Sequence, residues 1–300
     1  MPRYSICIAT YKRPEGLSLL LESIEAQELD LDDSVEIIIV DNDPPSAQGL
    51  VAEFAAASRF PIRYLTQPEQ NISTTRNLAV HEATGDYVWF VDDDEVAIPE
   101  CLSRLGKAMS DFDADGVFGP VIPQFESKQP EWMESSSLFN RAIGVTGRRS
   151  EVYRTSNTLV KRELLLTIPG PFDPNFGISG GSDSLLFRQL ANNGAFFIDS
   201  SDAIVYEDVP DSRADWYWMK TRMRRQGQNY TRQIVMTNGG VVNTSVAWML
   251  AKAAVQIPGS VLGWAVSRDS EARKREFQLR LWSNIGKFEG LAGTISVRME

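Results

Sequence analysis

Four consecutive acids, Asp92-Asp93-Asp94-Glu95, follow the apolar run Tyr87-Val88-Trp89-Phe90-Val91. Like charges at the end of a buried strand repel one another, so the fold gains nothing from them unaided. A divalent cation bridging phosphate oxygens accounts for such a cluster, because hard oxygen ligands suit Mg²⁺ or Mn²⁺. The competing reading is an acidic turn that caps the next helix, since Pro99 soon follows. Other catalytic chemistries find less material. His81 is the only histidine and lies in a helical pattern between Val80 and Glu82, which argues against a Ser-His-Asp triad. Cys7 and Cys101 are the only cysteines and support neither a disulfide framework nor a zinc site.

The elements that must position the acids alternate between two periods over the first 120 residues. Strand patterns cover 4–10, 35–41, 62–66, 86–92 and 116–121, and amphipathic helical patterns cover 16–27, 47–57, 73–83 and 99–110. Val35-Glu36-Ile37-Ile38-Ile39-Val40 is nearly all apolar, as a strand covered on both faces must be. Such βαβ alternation predicts an α/β fold around a mostly parallel sheet with helices on both faces. Ligands in these folds bind beyond the carboxyl ends of the strands. Thr10, Asp41 and Asp92 each stand at such an end, so the pattern aims three polar groups at one crevice.

Residues 123–173 are less regular and rich in Ser, Pro and Gly, with Trp132 and Phe139 as aromatic anchors. A glycine-rich loop, 177–181, precedes a helical pattern starting near Ser182. The stretch 213–232 is basic, 241–266 is strongly apolar but interrupted by Lys252 and Pro258-Gly259, and 268–290 reads as a mixed-charge amphipathic helix. The apolar stretch is too broken for a confident membrane span. It suits a buried helical hairpin or peripheral attachment to a bilayer. The net charge of −10 argues against nucleic-acid binding, which needs a basic footprint. Met1-Pro2-Arg3 leads straight into a strand pattern with no secretory apolar region, so the expected location is cytoplasmic. Sequons at Asn71, Asn229 and Asn243 then read as chance matches.

With these pieces in place the chain resembles a family-2 glycosyltransferase with the GT-A fold. Ile8-Ala9-Thr10-Tyr11-Lys12-Arg13-Pro14 is similar to the family's first strand and loop, and Ile39-Val40-Asp41-Asn42 to its second. Asn71-Ile72-Ser73-Thr74-Thr75-Arg76-Asn77-Leu78-Ala79 resembles its Ala-Arg-Asn-X-Ala helix start. Phe90-Val91-Asp92-Asp93-Asp94-Glu95 resembles its Asp-X-Asp metal motif, and Gly180-Gly181-Ser182-Asp183 its Glu-Asp motif. Tyr206-Glu207-Asp208-Val209-Pro210, with Arg222-Met223-Arg224-Arg225-Gln226-Gly227 and Gly286-Lys287-Phe288-Glu289-Gly290-Leu291, is similar to the bacterial branch of exopolysaccharide enzymes that includes succinoglycan glucosyltransferases.

The resemblance implies roles. Asp94 ligates Mn²⁺ or Mg²⁺ and Asp92 reaches the ribose hydroxyls or the metal. Asp41 accepts from a uracil N–H, and Thr10 and Tyr11 line the base pocket. Arg76 contacts the base or the phosphates, and Arg13 and Asp93 belong to the same donor-binding set. Asp183 is the general base that deprotonates the acceptor hydroxyl. Where relatives place a late histidine on the metal this chain has none, and Glu207 or Asp208 stands in the matching region. Ser182 stands where a glutamate is usual. Arg222, Arg224 and Arg225 are candidates to hold a diphosphate. The implied domains are a catalytic domain over 1–232, divided near 122 into nucleotide-sugar and acceptor halves, and a helical region over 233–300. The implied reaction is inverting hexosyl transfer from a UDP-sugar to a saccharide or lipid-linked saccharide acceptor, at or near the inner face of the cytoplasmic membrane. The rival readings are a sugar-phosphate nucleotidyltransferase, whose glycine-rich, lysine-bearing start is missing, and a sugar-binding module with a decayed site.

Overall fold

The computed structural model describes residues 2–30, 33–139 and 143–296. In chain order the elements are β1 (Arg3–Thr10), α1 (Pro14–Glu25), β2 (Ser34–Asp41), α2 (Gln48–Ala57), β3 (Ile62–Thr66), α3 (Ile72–Glu82), β4 (Tyr87–Phe90), β5 (Glu95–Ala97), α4 (Cys101–Asp111), β6 (Gly116–Phe118), β7 (Val121–Phe125), α5 (Glu131–Glu134), β8 (Thr158–Lys161), α6 (Arg162–Leu165), a 3₁₀ turn (Pro174–Phe176), α7 (Ser182–Asn192), β9 (Phe197–Asp199), β10 (Val205–Val209), α8 (Trp216–Thr237), α9 (Thr244–Val266) and α10 (Glu271–Leu291). The chain divides into two compact units. The first runs to Ile122 and returns through Gly177 and Ser182–Glu207. The second takes the segment carrying α5, Ile178–Gly181 and the chain from Asp208 on.

In the first unit a seven-stranded sheet has the order β3-β2-β1-β4-β8-β6-β9. β1 pairs in parallel with both β2 and β4, so strand order reverses beside β1. Ligands bind at such a reversal, outside the carboxyl ends of the strands. Alternation along the strands divides the core into two layers. Ile6, Ile8, Ile37 and Ile39 pack with Leu17, Leu20, Leu21 and Leu102 from α1 and α4. Cys7, Ile38 and Val40 face the other way, onto Val80 of α3 and Leu186 and Phe187 of α7. Both strands are therefore apolar on both faces, which explains the unbroken apolar run in β2. Each wholly buried Leu, Ile or Phe in these layers contributes about 1.5–3 kcal/mol. Both cysteines are buried and free.

In the second unit α8 and α10 pack with their backbones nearly touching. A Cβ on Gly286 would stand 1.9 Å from the Arg224 carbonyl oxygen, so only glycine fits there. Met133, Leu138, Phe139, Trp218, Met219 and Leu279 form this unit's own core. Two details differ from the sequence pattern. Residue 232, the boundary expected between catalytic and C-terminal regions, lies inside the continuous helix α8. Pro258 does not break the apolar stretch but sits inside α9. It is exposed, and lacking an N–H it leaves the Ala254 carbonyl without the helical hydrogen bond that residue 258 would give it.

Candidate active site

The site residues converge where β1 and β4 end. Thr10 closes β1, and Lys12 then takes the left-handed conformation (φ 54°), rare for a side-chain-bearing residue. The turn brings Thr10, Tyr11 and Arg13 onto one carboxylate. Asp93 Oδ2 accepts from Thr10 Oγ1 at 3.0 Å and from the Tyr11 N–H at 3.1 Å, while Oδ1 accepts from Arg13 Nη1 at 2.9 Å. The same Nη1 donates to Asp94 Oδ2 at 2.8 Å. Pro14 then opens α1, with its fixed φ suited to the first helical turn.

Arg76 arrives from α3. Asn71 caps that helix, accepting from the Ser73 and Thr74 N–H groups at 3.1 and 3.2 Å. Its amide donates to the Pro174 carbonyl at 3.1 Å. A Cβ on Gly177 would lie 1.7 Å from Asn71 Oδ1, so the loop passes this cap only as glycine. Asn77 exchanges two 2.8 Å hydrogen bonds with the Phe172 backbone. Held at both points, α3 presents Arg76 to Asp92 at 2.8 Å, and the Arg76 side chain is 11% exposed. It is not a free surface arginine.

The fourth acid turns inward. Glu95 is buried, accepts from the Asp92 N–H at 2.9 Å and from Ser156, and pairs across the sheet with Glu207 on β10. The next helix, α4, has Glu100 at its N-cap with no side-chain cap hydrogen bond, so the acidic run does not cap it. Burial and then the Asp92 charge lift its pKa well above the usual glutamate value. Burial also lifts Asp94, to about 7, with Arg13 opposing and Asp93, Asp92 and Glu207 adding to the rise. Glu207 therefore lies within electrostatic reach of Asp94, whereas its neighbour Asp208 is exposed.

Asp41 is fully buried and occupied. Oδ1 accepts from the Asp43 N–H at 2.8 Å, and Oδ2 from the Ala47 N–H at 3.0 Å and Tyr64 Oη at 2.7 Å. Contact with a nucleobase would require these bonds to rearrange. Asp183 stands on a separate element, in the first turn of α7, where Oδ1 accepts from the Ser184 N–H at 2.7 Å. Gly180 and Gly181, both left-handed, lead into this helix, and Phe187 anchors it edge-on to Phe118 and Phe197. Ser182 is buried, so its small side chain belongs to packing. Of the three candidate diphosphate arginines, Arg224 is bound to Glu289 of α10, at 2.7 and 2.9 Å, and Arg222 stacks on Trp218.

The donor chemistry suits a hard cation. Among the described residues no three His, Cys, Asp or Glu side chains are grouped as a metal cage. Mg²⁺ and similar ions use one or two carboxylates and take their remaining oxygens from substrate phosphates and water. Asp94 and Asp92 meet that requirement.

A doubly wound sheet with an acidic turn at its strand-order reversal and arginines on the acids is the architecture of a GT-A transferase. Residues 5–183 match the model of "Glycosyl transferase family 2", and the chain belongs to that family. The match sets aside the nucleotidyltransferase reading. The chain is 31% identical to the succinoglycan biosynthesis protein ExoM of Rhizobium meliloti, over 96% of this chain and 92% of ExoM. Its fold is similar to the mannosyltransferase PcManGT of Pyrobaculum calidifontis, solved with GDP-Man and Mn²⁺ (TM-score 0.67, 18% identity, 96% of this chain and 87% of that one). It is also similar to TarS residues 1–349 of S. aureus, solved with UDP-GlcNAc (TM-score 0.52, 14% identity, 97% and 92%). At those identities the two structures establish the GT-A fold.

Proposed function

We propose that this glycosyltransferase is an inverting, metal-dependent hexosyltransferase of surface polysaccharide synthesis. It takes a UDP-sugar and a saccharide acceptor, lipid-linked in the cell. The observation that carries the reading is the acidic turn at the β1/β4 switch point, with Arg13 on Asp93 and Asp94 and Arg76 on Asp92. Similarity to ExoM along nearly the whole chain supports the polysaccharide assignment.

Asp94, with Asp92, would hold the cation, and Glu207 supports them from β10. When bound, the ion neutralises charge on the departing diphosphate. Thr10 and Tyr11 line the donor side, and Arg76 is placed to exchange Asp92 for a phosphate or the base. Asp183 accepts the proton of the acceptor hydroxyl as that oxygen bonds to the anomeric carbon. The bond from that carbon to the diphosphate oxygen breaks on the opposite face, so the configuration inverts. The test is a screen of UDP-, GDP- and other nucleotide-sugars with Mn²⁺ and Mg²⁺, reading nucleotide release. Release from a UDP-hexose that chelator abolishes supports the reading. Release from no donor would mean a decayed site, and release in excess chelator would refute the metal.

A further inference from the structure

Helix α9 buries one edge and leaves the rest in solvent. Val246, Met249, Ala253, Ser260 and Gly263 are buried, and a Cβ on Gly263 would lie 2.4 Å from the Phe277 ring of α10. On the other side Trp248 is 73% exposed, Val255 77% and Leu262 65%. Spaced by sevens, these residues form one stripe along a helix of 23 residues, about 35 Å long. Past the first turn, Lys252 and Gln256 are its only exposed polar side chains. An apolar surface of this extent marks an interaction site.

Charge identifies the partner. Residues 213–300 carry fourteen Lys and Arg against six Asp and Glu, a net +8 in a chain of net −10, so the preceding 212 residues carry −18. The cations reach the stripe. Lys252 lies one turn from Trp248 and Val255, Arg268 follows the end of α9, and Arg273 lies on the first turn of α10. All three are exposed, and among the described residues none has a carboxylate within ion-pair distance. A second copy of the chain is a poor occupant, because a two-fold pairing of α9 stripes would set one +8 region on another. An anionic lipid surface meets both demands. Lipid headgroups attract basic residues, the acyl boundary takes apolar ones, and tryptophan rings such as Trp248 and Trp264 favour the layer between. The α9 helix has the length and composition of a membrane span. Its buried edge is nevertheless fixed on α10, whose Arg273, Lys274, Arg275 and Glu276 cannot follow it into hydrocarbon.

We propose that α9 lies in the headgroup layer of an anionic membrane, with Trp248, Val255 and Leu262 inserted and Lys252, Arg268 and Arg273 on the lipid phosphates. The inference is independent of the donor and the metal. Flotation of the full chain with phosphatidylcholine vesicles, with and without phosphatidylglycerol, tests it. Binding is expected only with phosphatidylglycerol and should weaken as salt rises. Lys252→Gln combined with Arg268→Gln should weaken binding roughly thirtyfold, about fivefold per basic residue. Leu262→Asp should abolish it while nucleotide release in solution stays unchanged. A chain that remains unbound at low salt with phosphatidylglycerol, or binds neutral vesicles equally well, overturns the proposal. A dimer in sedimentation that Leu262→Asp dissolves, without flotation, would assign the stripe to a second copy instead.

Discussion

Asp93 and Asp94 are neighbours in sequence, yet their removal should have opposite consequences. Asp93→Ala leaves the buried Thr10 hydroxyl and the Tyr11 N–H without their acceptor and takes one of two carboxylates from Arg13. Orphaned buried donors cost about 1–3 kcal/mol each, while Arg13 keeps Asp94. The expected loss for the two donors is therefore about 2–6 kcal/mol. Burial lifts the Asp93 pKa above the ordinary aspartate value, so the ion is held at a cost, and the loss comes from the groups left behind. Asp93→Asn keeps an acceptor for Thr10 and Tyr11 and should lose about 1.5–3 kcal/mol, the worth of one charge-assisted bond. Asp94→Ala removes a carboxylate crowded by Asp92, Asp93 and Glu207, and stability should hold or rise. Urea denaturation with chelator present, so that no metal contributes, separates the three variants by midpoint. If Asp93→Ala unfolds with the wild type while losing activity, Asp93 is a ligand contact and the structural argument fails.

Asp94→Ala should abolish transfer with the fold intact, and EDTA should inactivate the wild type until Mn²⁺ is added back, measured by nucleotide release. Asp183→Asn keeps shape and removes basicity, so transfer should fall roughly 10²-fold or more while donor affinity measured by calorimetry barely moves. A normal transfer rate would place the base elsewhere. Gly177→Ala must push the Asn71 side chain out of its cap. It should lower stability, as should Asn71→Ala, by about 1 kcal/mol for the cap alone, read from thermal melting, and the double variant should lose less than the sum.

The strands β1 to β4 and helices α1 to α4 were legible because parallel strands buried on two faces write long apolar runs, and the helices between them keep a 3.6-residue period. β8 and β10 were not. Each is short and is defined by distant partners, β8 by β4 and β6 and β10 by β5. The family resemblance singled out Asp92, Asp94, Arg76 and Asp183, and the structure pairs Arg76 with Asp92. The resemblance could not show that Asp41 is already bound by Tyr64, twenty-three residues on, or that Asn77 holds Phe172 across ninety-five. Nor could it separate Glu207 from Asp208, which depends on which face of β10 each occupies. Glu95 was visible as an acid, but its inward turn became apparent only when β5 was seen to pair with β10.

The spacing of the acidic motif itself has a physical origin in this geometry. Burial alternates along the run. The Asp92 and Asp94 side chains are 33% and 13% exposed, against 7% for Asp93, and Glu95 is buried. The Glu95 N–H donates to the Asp92 carbonyl at 3.1 Å and closes a turn with Asp93 and Asp94 at its centre. The inward pair, Asp93 and Glu95, satisfies hydroxyl and backbone donors from Thr10, Tyr11, Ser156 and Asp92. The outward pair is bound by guanidinium groups, Arg76 on Asp92 and Arg13 on Asp94. A guanidinium can move to a phosphate and leave its carboxylate to another cation, whereas a backbone N–H cannot leave its turn. Asp93 and Glu95 are therefore committed to the fold, and Asp92 and Asp94 remain exchangeable, which gives the turn an outward carboxylate at every second position.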